Sequence, residues 1–349
     1  MPVRMDMISR PFRTRGTLTI TTLKYCLLVA GGILAILPFN VLYAADTPVG
    51  TDGQPDSVLD RTTSRFFSLV DKEQEMAVDK LTGLTNRVDS FFSNERVYYD
   101  ATDSFVRIRG DTIWDEEADH LGFTGDVRVK LDLKRTSEKY KFVIESNPER
   151  GEADLDQDTR ETPLEAAQQP SYYAGLQAQA GDRTRWFYRS TLGVRIKAPL
   201  DVFIRLHANR TYPLDDWSLR LDEGLFHFSS FGLGADSAAE FDHALDSNSL
   251  FRARSYVRWL REDDNFNVSE VVSLFHTLSP RRWLGYQAGV YAPTRPSFSV
   301  SDYLLLLRYR QDIHKHFLFM EIIPQIRYQK INNFSPQHSI TFRLEWLVG

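Results

Sequence analysis

The sequence predicts an all-β chain: an antiparallel up-and-down transmembrane β-barrel of about 12–14 strands, because barrels of this class have an even number of strands. A periplasmic helix is predicted to precede it. Three observations support this fold class. Apolar and charged residues alternate with a period of two after residue 103, which places successive side chains on opposite faces of a strand. Most runs reach the roughly 9–11 residues that a tilted strand needs to cross a bilayer. Aromatic residues lie mostly near the ends of the runs, as in interfacial girdles; they include Trp114, Tyr140, Trp186, Trp217, Trp259, Trp283 and Trp346.

The composition agrees with this fold. The 349 residues are 42% hydrophobic with a mean hydropathy of −0.35, which suits a barrel, where only every second residue meets lipid, and excludes a bundle of membrane helices. The net charge of −5 gives no reason to expect a nucleic-acid partner. Cys26 is the only cysteine, so disulfides and thiolate metal sites are not expected in the exported chain.

The N-terminal elements come first in the chain. Residues 1–44 are interpreted as a signal peptide, with a basic stretch, an apolar core over residues 26–43 and cleavage after Ala44. An uncleaved anchor helix is the alternative, since the apolar run is nearly long enough to span a bilayer. Residues 45–56 are rich in Gly, Pro and Asp and are interpreted as a flexible leader.

Residues 57–93 change period and predict the amphipathic helix. Its narrow apolar stripe repeats by threes, fours and sevens and consists of Phe67, Val70, Ala77, Leu81, Leu84, Val88 and Phe91. Two kinds of placement fit this stripe. The helix lies against the periplasmic rim of the barrel, which is the preferred interpretation, or it has a functional role as a periplasmic coiled coil or as a plug of the barrel.

Residues 103–349 are assigned to the barrel. The predicted strands are residues 103–113, 122–134, 138–146, 171–178, 185–197, 200–211, 216–228, 233–244, 249–261, 265–277, 281–292, 299–311, 316–329 and 337–348. Twelve strands is the alternative, if the short pair 138–146 and 171–178 does not span. The acidic segment 147–170 is predicted to be an external loop. A soluble periplasmic sheet protein would alternate in a similar way.

The alternation also predicts an arginine-rich interior. The inward residues expected to line the lumen and contact solutes are Arg189, Arg195, Arg205, Arg252, Arg254, Arg258, Arg308, Arg310, Glu321, Arg343 and Glu345. The inward acids are expected to be fewer, namely Asp132, Glu145, Asp222, Glu321 and Glu345. Arginines on neighbouring strands repel each other unless an acid or a bound anion lies between them. The interior is therefore either a conduit for anions or a salt-bridged, sealed core.

Signals for an enzyme or a metal site are weak. His243 and Ser247 lie close in sequence at a predicted turn beside Asn248, and turn composition explains them better than a catalytic pair does. His314 and His316 are two residues apart and share a strand face, but a third metal ligand is missing. No enzymatic activity, cofactor or metal is predicted.

The C-terminal third resembles an uncharacterised group of exported proteobacterial proteins. The segments that carry the resemblance are residues 240–242, 249–252, 309–310, 319–324 and 343–346. The chain is also similar to bacterial outer-membrane β-barrel proteins in general, whose last strand feeds the insertion machinery and usually ends in an aromatic residue. This chain ends Trp346-Leu347-Val348-Gly349 and departs from that pattern, although Trp346 is a candidate substitute.

The expected function follows from the fold. The chain is predicted to reside in the outer membrane, with the lipid bilayer and the barrel-insertion machinery as partners, and to pass or bind small, anionic solutes. A structural or envelope-assembly barrel is the first alternative. A lipid-acting enzyme of the outer membrane is the second.

Overall fold

The computed structural model describes residues 81–92, 104–116, 120–132, 140–146, 172–181, 185–196, 200–262 and 264–348. The predicted signal peptide, the leader, the first part of the predicted helix and the acidic segment 147–170 lie outside these residues. Within them, no helix has the length and apolar character needed to cross a membrane.

Fourteen antiparallel strands form a closed barrel. The strands are β1 (Phe105–Asp115), β2 (His120–Asp132), β3 (Tyr140–Ser146), β4 (Tyr172–Gly181), β5 (Phe187–Arg195), β6 (Asp201–Leu214), β7 (Trp217–Phe228), β8 (Gly232–Ala244), β9 (Ser249–Leu260), β10 (Asn265–Ser279), β11 (Arg282–Pro293), β12 (Asp302–His314), β13 (Leu318–Gln329) and β14 (Pro336–Val348). A 3₁₀ turn, Lys330–Asn332, joins the last two strands. The predicted up-and-down order and the count of fourteen strands are confirmed.

Each strand pairs with its neighbours in the chain, and β1 closes the barrel by pairing with β14. Because β1 starts where β14 ends, with Val106 opposite Val348, both chain ends of the barrel lie at one end, which we call the termini end. The turns that follow β6, β8, β10 and β12 lie at the same end, since the chain reverses direction at every strand.

The wall has an apolar outward face and a charged inward face. In β12, Tyr303, Leu305 and Ile313 are exposed, whereas Arg310 and Asp312 on the alternate positions are buried. Strand geometry requires this alternation. The outward face therefore exposes large apolar side chains such as Leu192 and Leu305, and the fully buried side chains include the charged residues Arg107, Lys130 and Lys141.

A helix, α1, covers residues 81–91 ahead of the first strand. Its apolar stripe, Leu81, Leu84 and Val88, is buried in a cluster with Leu250 of β9 and Trp283 of β11. Both partners belong to the inward face near the termini end. The predicted helix is thus confirmed over residues 81–91, and its stripe is the surface that packs on the barrel.

Candidate functional site in the barrel lumen

The predicted lumen residues all belong to the inward face of the wall. They are Arg189 and Arg195 on β5, Arg205 on β6, Arg252, Arg254 and Arg258 on β9, Arg308 and Arg310 on β12, Glu321 on β13, and Arg343 and Glu345 on β14. Most are buried, and Arg205, Arg258 and Arg308 are half-buried. The structure brings several of them into direct contact.

The largest cluster of ion pairs joins β12, β13, β14 and β1. Arg310 donates to Glu321 and, through Nη2, to Oε1 of Glu345 at 2.6 Å. The other oxygen of Glu345 accepts from Nε of Arg109 at 2.5 Å. Arg310, Glu321 and Glu345 are completely buried. Charge-assisted hydrogen bonds of this kind are short and strong, so this cluster ties four neighbouring strands together from the inside.

A second ion pair reinforces the contact between β1 and β14, the two strands that close the barrel. We call this contact the seam. Arg343 of β14 donates from Nε and Nη2 to the two carboxylate oxygens of Asp111 of β1, both at 2.8 Å. The two residues are also direct cross-strand partners. A bidentate guanidinium–carboxylate pair fixes geometry as well as charge, so β1 and β14 are held in one register.

The sequence prediction identified too few inward acids. The structure adds Asp111, Asp201, Asp236, Glu240, Asp242, Asp302 and Asp312, all buried. Three of these acids lie on β8, whose outward positions in the middle of the strand are Ala235, Ser237 and Ala239, so the sequence offered little hydrophobic contrast there to fix its orientation. The expected excess of basic charge is therefore smaller than the alternation indicated, although basic residues still outnumber acids on the inward face of the described strands.

Polar contacts attach α1 to the inward face. Arg252 of β9 donates from Nη1 to Asp89 of α1 at 2.8 Å, and from Nε and Nη2 to Asp242 of β8 at 2.7 and 2.9 Å. The hydroxyl of Thr85 donates to Asp242 at 3.3 Å. All four side chains are buried. Arg252 therefore links the helix to the wall through two carboxylates.

Aromatic contacts hold the end of α1. The ring of Phe91 stacks on Trp283 at 5.2 Å, and Phe92 meets Phe275 at 5.2 Å. The Arg310 guanidinium lies 5.8 Å from the centre of the Phe91 ring. Trp283 was expected in an interfacial girdle and faces inward instead, because α1 supplies an apolar surface there. Of the placements considered for the helix, these contacts favour the plug.

A second aromatic cluster lines the inward face away from the termini end. Its members are Tyr173, Phe203, Phe226 and Phe228, with Phe231 and Leu260 packed against them. The Arg205 guanidinium lies 5.2 Å from the ring centre of Phe203 and 5.5 Å from that of Phe228, and Arg258 lies 5.1 Å from that of Phe226. Guanidinium groups over aromatic faces gain cation–π attraction, so this cluster carries positive charge on an apolar base.

The residues weighed for catalysis have structural roles. His243 stacks on Trp217 at 4.5 Å, and its Nδ1 lies 2.8 Å from the carbonyl oxygen of Asp216. The carbonyl oxygen of Ser247 accepts a hydrogen bond from Arg87 at 3.3 Å. Neither contact joins the histidine to the serine. The explanation by turn composition accounts for both residues.

The sequence reasoning missed a Ser–His contact between β9 and β10. The hydroxyl of Ser249 lies 2.9 Å from Nδ1 of His276 and 3.0 Å from a carboxylate oxygen of Asp246. The carboxylate can only accept, so the hydroxyl proton points to Asp246 and the imidazole Nδ1–H donates to the serine oxygen. This arrangement orders the turn and is the reverse of serine activation. The backbone N–H of Asn248 and the Ser249 hydroxyl lower the pKa of Asp246.

The two histidines that share a strand face in the sequence pattern, His314 and His316, contact different groups. His316 Nδ1 lies 2.6 Å from a carboxylate oxygen of Asp312, and the ring of His314 packs on Phe317. Within the described segments, no group of three or more His, Cys, Asp or Glu side chains is arranged to hold a metal ion.

Comparison with known proteins finds distant structural similarities. The sequence matches no protein-family model and no curated protein. Among solved structures, a bacterial polysaccharide outer membrane secretin matches with 11% identity and a TM-score of 0.43, over 71% of this chain and 99% of that chain. The OmpT variant of Vibrio cholerae lacking loop L8 matches with 8% identity and 0.43, over 70% and 98%. The CymD monoaromatic hydrocarbon channel matches with 9% identity and 0.43, over 74% and 92%.

These similarities are distant. Because each TM-score is below 0.5, the side chains of the barrel itself must carry the functional argument. The resemblance to an exported proteobacterial group stays a prediction.

Proposed function

We propose that the chain is an outer-membrane barrel that binds and passes small solutes, and that α1 closes its lumen at the termini end. The observation that carries this proposal is the inverted distribution of side chains. Large apolar residues such as Phe123, Leu192 and Leu305 are exposed on the outward face, while Arg107, Arg310 and Glu345 are completely buried on the inward face. A closed sheet with an apolar exterior and a polar interior is suited to lipid.

The closed state rests on α1. Its apolar stripe covers Leu250 and Trp283, and Asp89 accepts a hydrogen bond from Nη1 of the Arg252 guanidinium group. Removing the helix would expose both apolar side chains and leave Arg252 with the wall carboxylates of Asp242 and Glu240. The contacts are numerous and polar as well as apolar, which suits a segment that closes a passage and is displaced by a signal or a solute.

The preference for anions follows from the wall that α1 covers. Displacing the helix removes the Asp89 carboxylate from the lumen, and the neighbouring Arg252, Arg308 and Arg310 remain on the wall. Inward basic residues also outnumber inward acids on the described strands. A path lined by this excess attracts anions and repels cations, so the open state is expected to prefer small anionic solutes.

Fractionation tests the location in the membrane. The protein is expected to co-sediment with outer membranes, and to migrate faster on gels before heating than after it. The last strand, β14, with Trp346 near its end, is the segment proposed to engage the insertion machinery. Release of the protein with soluble periplasmic proteins after osmotic shock would contradict the membrane location.

Conductance tests the passage. In planar bilayers the double variant Asp89→Asn/Thr85→Ala is expected to open more often than the parent protein, because it loses the polar contacts between α1 and the wall. Glu116→Gln is the matched control, because Glu116 is an exposed residue at the end of the barrel opposite the termini end. It should leave the frequency of opening unchanged. Anions should carry more current than cations. Arg254→Ser/Arg308→Ser should reduce that preference.

The runner-up is a sealed barrel with a structural role in the envelope. The complete burial of Arg310, Glu321 and Glu345 favours it, since a wide aqueous pore would expose such groups. Parent and double variant would then both remain non-conducting, while the gel-mobility difference and the sedimentation with outer membranes persist.

A further inference from the structure

Two glutamates point outward near the middle of their strands, where the rest of the face is apolar. Glu223 of β7 lies between Leu221 and Leu225 on the outward face, and the alternate residue Asp222 is buried inside. Glu270 of β10 is likewise exposed on the outward face. In a barrel that spans a membrane, these carboxylates would face hydrocarbon.

Each carboxylate is fixed by a serine on the adjacent strand. The hydroxyl of Ser237 of β8 donates to Glu223 at 2.9 Å, and that of Ser255 of β9 donates to Glu270 at 2.6 Å. The four residues lie across β7, β8, β9 and β10 in the order Glu, Ser, Ser, Glu. The two Glu–Ser pairs form a row as diagonal neighbours, because Ser237 lies opposite Val257 and Ser255 lies opposite Ala239. We call this row the outer polar patch.

Small side chains lie beside the patch on its two central strands, whereas Leu221 and Leu225 flank Glu223, and Val268 and Val272 flank Glu270. Ala208 lies opposite Glu223 on the neighbouring strand, and Ala239 lies opposite Ser255. Ala235 and Ala253 occupy the adjacent outward positions of β8 and β9. Small residues allow another protein surface to approach the backbone closely in a membrane, whereas bulky aliphatic residues cover the outward face elsewhere, as at Leu192.

Ionisable groups within the hydrocarbon layer are costly, and they usually face protein or water. A serine hydroxyl satisfies only one of the acceptor sites of each carboxyl group. The remaining acceptor sites of the two carboxyl groups therefore need a polar partner that lies at the same depth in the membrane and has a surface flat enough to approach the barrel wall.

We propose that the outer polar patch is the interface between two copies of this chain in the membrane. The proposal rests on the membrane location argued above. The order of the four side chains is the reason for choosing a second copy, because the row reads the same from either side. A twofold axis along the membrane normal, passing between β8 and β9, brings Glu223 and Ser237 of one copy against Glu270 and Ser255 of the other.

This arrangement is closed and self-complementary, as twofold interfaces are. The facing carboxyl groups share a proton, because two carboxylates in contact cannot both remain ionised. The serines of each copy pack near the axis. Every polar group of the patch then has a partner outside the lipid, and the alanines allow the two walls to touch.

The test compares oligomeric state in a neutral, density-matched detergent by sedimentation equilibrium. The parent protein is expected to sediment as a dimer. Glu223→Leu/Glu270→Leu should sediment as a monomer, with a dissociation constant for the dimer at least tenfold higher. Its outward face is then apolar and no longer carries carboxyl groups that need a polar partner. Glu223→Gln/Glu270→Gln should remain dimeric, since the amides still form hydrogen bonds. Glu116→Leu, which removes an exposed glutamate outside the patch, is the control.

Cysteine cross-linking in native membranes gives a second readout that does not depend on detergent. Ser255→Cys is expected to form a disulfide-linked dimer on oxidation, and Leu192→Cys on the outward face of β5 is not. Each variant must retain the mobility difference between heated and unheated samples, which shows that it is folded.

A parent protein that is monomeric by both methods would overturn the proposal, as would a leucine variant that associates as tightly as the parent. Flotation of the protein with lipid vesicles separates the two proposals. A monomer that floats refutes only the dimer, whereas a protein that does not float refutes the membrane location as well.

Discussion

Replacing Glu345 with glutamine removes one buried charge from the centre of the seam between β14 and β1. The change keeps the size and shape of the side chain. It leaves Arg109 with an amide in place of a carboxylate, and it removes the Glu345 carboxylate from Arg310, which keeps its contact with Glu321. The change in the free energy of unfolding therefore reports the contribution of the carboxylate itself.

The expected loss follows from the two hydrogen bonds that Glu345 accepts, at 2.5 Å from Arg109 and 2.6 Å from Arg310. Hydrogen bonds to charged groups contribute about 1.5–3 kcal/mol each. Removing one partner of a buried ion pair costs about 3–5 kcal/mol. Because glutamine retains one acceptor oxygen, we expect a loss near the lower end, about 3 kcal/mol.

The assay is reversible urea unfolding in lipid vesicles, followed by tryptophan fluorescence. The exposed pair between Arg295 and Asp264 supplies a matched control, because both side chains are more than half exposed. Asp264→Asn also removes one carboxylate oxygen from an ion pair, and it should cost no more than about 1 kcal/mol. Arg109→Gln in the Glu345→Gln background should cost less than Arg109→Gln alone, since the partner is already absent.

Equal losses for Glu345→Gln and Asp264→Asn would refute the reasoning. The interior would then be hydrated enough to screen the seam as effectively as bulk water does. A loss above about 5 kcal/mol would instead show that the uncompensated guanidinium groups disrupt the barrel, beyond the loss of the bonds.

Two further predictions concern the wall. Leu305→Arg, on the outward face near mid-span, should destabilise the barrel in lipid by about 2–4 kcal/mol, whereas Leu278→Arg, near the end of β10, should cost about 0–1 kcal/mol in the same unfolding assay. Gly193→Ala should cost about 1–3 kcal/mol, because its Cβ would lie 2.6 Å from both the Ala174 carbonyl oxygen and the Phe203 ring. Gly110→Ala meets nothing within 4 Å and should not destabilise. Equal effects within either pair would contradict the assigned environments.

The fold was predictable because strand alternation is a local property. In β14 the outward residues Phe342, Leu344 and Trp346 alternate with Arg343 and Glu345, and the turns are short, so the strand boundaries and order could be predicted without knowledge of partners. The arginines of β9 and β12 were placed on the inward face for the same reason.

The contacts of these arginines could not be predicted. Whether Arg310 meets Glu321 or Glu345 depends on the register of three strands, and register is set by pairing across the whole barrel. The inward acids of β8 were missed for another reason, because the outward residues in the middle of that strand are Ala235, Ser237 and Ala239, which carry little hydrophobic contrast. Trp283 was misplaced because its partner, α1, lies far away in the sequence.

The seam between β1 and β14 has a consequence for the order of assembly. The pairs Arg109–Glu345 and Arg343–Asp111 join residues 236 and 232 positions apart, so the ring cannot close until the last strand has been made. Contacts between such distant positions form slowly. Until then both terminal strands present unpaired edges, which are prone to pair with other chains. Inward-pointing charges such as Arg109 and Arg343 discourage those wrong pairings. The charged residues that hold the closed barrel together therefore also reduce wrong strand pairing before the barrel closes.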